Sequence, residues 1–83
     1  MLDKNKMIPG TFVEVKRNLD VTPAGATSSW DPVYKVSAGT QLKVIKKPRK
    51  LFGSINAAMV ELPTGEQGNV HWMVLRNSCN HVE

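Results

Sequence analysis

Only one cysteine, Cys79, occurs among the 83 residues. A single thiol cannot staple the fold, so stability has to come from a packed core. It also favours a reducing, cytoplasmic setting. No apolar run approaches the ~18 residues of a membrane span. The opening Met1-Leu2-Asp3-Lys4-Asn5-Lys6-Met7-Ile8-Pro9 lacks the apolar stretch of roughly 7–15 residues that marks a signal peptide. These absences point to a soluble chain without membrane contact.

Patterns of catalysis are missing too. The seven carboxylates, Asp3, Glu14, Asp20, Asp31, Glu61, Glu66 and Glu83, are scattered, with no acid/base pair close in sequence. No glycine-rich phosphate loop or Gly-x-Ser-x-Gly motif occurs. Metal-competent side chains are limited to His71, Cys79 and His81, whereas a structural zinc site wants about four ligands in close pairs. The expectation is a protein without catalytic residues, metal or cofactor.

Acidic residues are absent between Asp31 and Glu61. That window holds Lys35, Lys43, Lys46, Lys47, Arg49 and Lys50, six of the eleven basic residues, in a chain of net charge +4. A one-signed segment creates a local positive field that attracts phosphate or an acidic protein surface.

The hydrophobic fraction, 41%, is that of a folded domain. A chain this short buries only ~60–65% of its unfolded surface, so one small core is expected. Its apolar pattern repeats at two rather than 3.6, and prolines and glycines punctuate it, which indicates short strands. Residues 1–9 read as a flexible arm, 10–76 as the domain and 77–83 as a polar tail. Thr11, Val13 and Val15 alternate with Phe12, Glu14 and Lys16 in a first strand. Residues 18–32 read as a long loop, because Pro23, Gly25 and Pro32 interrupt them. Val33–Ser37 and Thr40–Lys46 follow as strands, the latter ended by Pro48. Ile55–Leu62, a turn at Pro63-Thr64-Gly65-Glu66, and Gln67–His71 complete the set. Trp72–Leu75 reads as a 3₁₀ turn with a short closing strand.

Glu61-Leu62-Pro63-Thr64-Gly65-Glu66-Gln67-Gly68-Asn69-Val70-His71-Trp72-Met73-Val74-Leu75 resembles the end of a bacterial SH3-like domain. Such domains place a hairpin glycine, Gly-x-Val, a 3₁₀ turn and a closing apolar residue in that order. Ala38-Gly39-Thr40-Gln41-Leu42-Lys43-Val44-Ile45 is similar to the strand that follows glycine in KOW-type barrels. Asn69 stands where those domains often carry an aromatic residue, and Lys46-Lys47-Pro48-Arg49-Lys50 replaces the KOW glycine-rich continuation. The resemblance implies an all-β, five-stranded SH3-like barrel with a long first loop and polar termini.

The functional expectation is a non-catalytic module that binds DNA or RNA with weak sequence specificity. Lys43, Lys46, Lys47, Arg49 and Lys50 supply phosphate contacts, with Lys16, Arg17 and Lys35 as additions. Alternation puts Lys43 outward, and Lys46 with Val44 on the core side unless the strand bends. Phe52 and Trp30 are the candidate stacking residues; for Phe52 a plug at one end of a barrel is the preferred reading, because so short a chain can hardly spare a phenylalanine from its core. The competing reading of the basic run is a solvated loop. A second expectation is a protein-interaction module using a groove of Trp30, Tyr34 and Trp72, or the basic loop against an acidic protein. A small phage or mobile-element protein that binds a host factor would fit it. A third is an oligomer whose function lies between subunits.

Overall fold

The computed structural model describes residues 2–25, 33–51 and 55–82. Seven strands form one curled antiparallel sheet, a half-barrel, with one short helix. They are β1 (Phe12–Val15), β2 (Leu19–Pro23), β3 (Tyr34–Val36), β4 (Gln41–Leu51), β5 (Ile55–Glu61), β6 (Gln67–His71) and β7 (Cys79–His81), with α1 (Trp72–Ser78) before β7. Their order across the sheet is β3-β2-β6-β5-β4-β1-β7. The all-β class holds, with seven strands in place of the expected five.

Period-two alternation decides which face is inside. Val13 and Val15 of β1, Leu42 and Val44 of β4, and Val60 of β5 are fully buried. Ala58, Val70 and Leu75 pack with them. Helix α1 places Trp72, Leu75 and Ser78 at spacing three toward this core, and its outer side carries the exposed Met73 and Val74.

The extra strands explain the count. Residues 18–32 were expected to be loop, yet Leu19–Pro23 pairs with both β3 and β6. Leu19 and Val21 are buried while Asp20 and Thr22 are exposed, so alternation continues up to Pro23. That proline stands at the strand's end opposite Gly68, where a missing N–H disrupts little. Gly68 is required there, because a Cβ would collide with the Thr22 carbonyl and the Val21 side chain.

The described segments before β1 and after α1 both pack on the body. Leu2 and Met7 are in the core cluster, and a 3₁₀ turn at Lys4–Lys6 lies between them. The expected tail supplies the last turn of α1 and then β7, which pairs with β1 and buries Cys79. Trp72–Leu75 is thus the start of an α-helix rather than a 3₁₀ turn and closing strand. His71 caps it by accepting the Met73 N–H on Nδ1 at 3.2 Å. Among the described residues, no helix is long and apolar enough to cross a membrane.

Candidate nucleic-acid interface

The basic run lies on β4, and two bulges set its geometry. Lys43 faces Glu61 and Val44 faces Val60, but the next pair is Lys46 with Met59. Two steps on β4 therefore match one on β5, with Ile45 as the extra residue. The bend turns Lys46 outward, whereas regular alternation would aim it at the core. Burying an unpaired ammonium would cost several kcal/mol, so the bulge resolves the conflict between a lysine and an apolar interior.

A second shift falls between Lys46 and Arg49, which faces Ala57. Pro48 lies inside this irregularity and is buried. It does not end the strand, because proline is tolerated where the ladder is already broken.

Direct cross-strand partners share a face. Lys43, Lys46 and Arg49 stand opposite Glu61, Met59 and Ala57, which stand opposite Gln67, Asn69 and His71. The outer face of β4–β5–β6 is thus a cationic row, a mixed middle row and a row of amides and imidazole. Glu61 is the carboxylate within it. Among the described residues, none of Lys43, Lys46, Lys47, Arg49 or Lys50 forms an ion pair. Arg49 Nη1 and Asn69 Oδ1 are buried without a hydrogen-bond partner. Each open group costs ~1–3 kcal/mol.

Lys47 projects elsewhere. It lines a groove of about 500 Å³ with Pro48 and the N-terminal Lys4, Asn5, Ile8 and Pro9. Lys4 thereby joins the basic surface, which the reading of residues 1–9 as an arm had missed. Lys50 is exposed opposite Asn56.

The supplementary cations are not brought to this face. Lys16 pairs with Glu14 at 2.7 Å, and Lys35 with Asp20 at 3.6 Å. Lys35 is on β3, separated from β4 by β2, β6 and β5. Arg17 sits after β1, near Arg76 and Ser78.

Among the aromatic candidates, Trp72 is 9% exposed and belongs to the core. It is not available as a partner anchor. Tyr34 is half-buried against that core, and the adjacent Glu66 carboxylate raises its phenol pKa above the ordinary value. Trp30 and Phe52 lie outside the described residues. Sequence reasoning passed over Phe12, which is 44% exposed and stands opposite Lys43. The signal was present: Phe12 shares the polar phase of its strand with Glu14 and Lys16.

Among the described residues, no three His, Cys, Asp or Glu side chains converge as a metal site would require. No family model, curated protein or solved structure matches this chain.

Proposed function

We propose that this chain is a non-catalytic nucleic-acid-binding module built on an SH3-like barrel. The observation that carries the reading is the row of Lys43, Lys46 and Arg49, which the β4 bulge and register hold on one outer face, none of them in an ion pair among the described residues. Lys47 and Lys50 extend the positive field to either side. Cations on a rigid strand neutralise backbone phosphates and release counterions, which gives affinity with little base readout.

The barrel assignment is supported by strand order. With the β2–β3 hairpin set aside, β7-β1-β4-β5-β6 is a five-stranded antiparallel arrangement. Gly68-Asn69-Val70 is followed by the short helix α1 and a strand that pairs with β1, where the resemblance implied a 3₁₀ turn and a closing apolar residue. The β2–β3 hairpin occupies the place of the long first loop.

Heparin chromatography and oligonucleotide binding test the function. The quadruple change Lys46→Gln, Lys47→Gln, Arg49→Gln and Lys50→Gln should lower the eluting salt concentration and abolish oligonucleotide binding at moderate ionic strength. Unchanged binding to both DNA and RNA would remove the reading.

A further inference from the structure

We infer that Phe12 is a base-stacking residue and that the β4 face takes single-stranded nucleic acid; this deepens the nucleic-acid reading and rests on it.

Strand β1 sends Val13 and Val15 into the core, which leaves the Phe12 ring outside. Phe12 faces Lys43 across the β1–β4 ladder. Backbone bonds from Val44 N–H to the Thr11 carbonyl and from Val15 N–H to the Thr40 carbonyl, both 2.8 Å, lie one step to one side of this pair and three steps to the other, and so set the hydrogen-bonded phase of the ladder. Phe12 and Lys43 therefore occupy a non-hydrogen-bonded position, where opposing side chains stand closest. The ring borders a groove of about 390 Å³, with Leu62 and Pro63 among its other walls.

Leaving a phenylalanine ring 44% exposed forfeits part of the stabilisation its burial would give. Of the other described aromatic rings, Trp72 is in the core and Tyr34 packs against it. An exposed ring on the face that carries Lys46 and Arg49, neither in an ion pair among the described residues, is the two-part arrangement that holds an unpaired nucleotide: the base stacks and the phosphates meet the cations. Glu61 in the same groove disfavours a phosphate there. The groove is left to the base, and the phosphates go to Lys46 and Arg49.

A duplex keeps its bases stacked on one another and offers the ring nothing, while its phosphates still reach the lysines. Phe12 thus distinguishes strandedness, and the cations do not.

The test is fluorescence anisotropy at one low salt concentration. Its probes are a labelled oligothymidylate of about 15 nucleotides, long enough to span the site of a small single-strand-binding domain, a duplex of equal length, and polyglutamate as a competitor. The full chain is compared with Phe12→Ala and Phe12→Tyr, with circular dichroism confirming that each variant is folded. Phe12→Ala should weaken single-strand binding about tenfold or more and change duplex binding by less than about twofold, while Phe12→Tyr keeps the single-strand affinity. If Phe12→Ala binds the single strand as the parent does, or loses both ligands equally, the stacking role is overturned and the nucleic-acid reading survives. If the parent binds neither oligonucleotide, both fall; capture of polyglutamate in that case would redirect the surface to an acidic protein.

Discussion

The Asp3 backbone N–H donates to His81 Nε2 at 2.8 Å, across 78 positions of sequence. The segment before β1 is thereby tied to the last strand, and Met7, 1% exposed, anchors it in the core. Met7→Ala should cost ~2–5 kcal/mol, as for other buried large-to-small changes, read as a lower urea midpoint. His81→Ala should cost less, ~0.5–1.5 kcal/mol, and should speed hydrogen exchange over residues 2–7. An unchanged urea midpoint for Met7→Ala would mean that the segment does not dock.

The contrast between free and paired cations gives a second prediction. Lys46 has no ion pair among the described residues, while Lys35 is bound to Asp20 on the far side of the sheet. Lys46→Gln should reduce the slope of log affinity against log salt by about 0.9, the value of one phosphate contact on duplex DNA. Lys35→Gln should leave that slope alone. Equal effects from the two substitutions would show that net charge, rather than the β4 face, sets binding.

Cys79 supplies a pH dependence. Burial pushes its thiol up to about 11 from an ordinary 9.0. The native state then holds the proton more tightly than the unfolded chain does. The contribution to stability is whole below pH 9 and is lost as pH rises from there through about 11, by roughly 2.7 kcal/mol at most. Urea midpoints should fall more steeply over this window in the parent than in Cys79→Val. Ellman's reagent should label the native thiol only at the rate of unfolding; rapid labelling of folded protein would contradict the burial.

Gly68→Ala tests the approach of β2 to β6. The added methyl would strike the Thr22 carbonyl and the Val21 side chain, so the strands must separate. Over-packing of this kind costs ~1–3 kcal/mol, and the loss should appear as a lower thermal midpoint with faster exchange at Val21. A neutral substitution would show that β2 is held less closely than its register implies.

Alternation made most of the sheet legible in advance. Val13, Val15, Leu42, Val44 and Val60 announce their buried phase in the sequence, and β1, β3, β5 and β6 follow from it. What alternation could not show is where it breaks. Lys46 faces outward because Ile45 is surplus to the ladder, and nothing in Val-Ile-Lys-Lys marks that step. Pro23 and Pro48 were read as stops, although each sits where the pairing tolerates a missing N–H. Ser78 and Cys79 looked like tail because a buried edge strand of three residues carries too little pattern to register. The basic run itself was plain, but its division between the outer face and the N-terminal groove depends on bulges and on the docking of Met7.

Strand β3 and strand β7 close the two sides of the sheet, and each is three residues long. Filament growth by cross-β stacking draws on segments of about six or seven residues. An intruding chain would find half of that on either margin. The half-barrel can therefore stay open along its rim, curved around its core, without inviting edge-to-edge polymerisation.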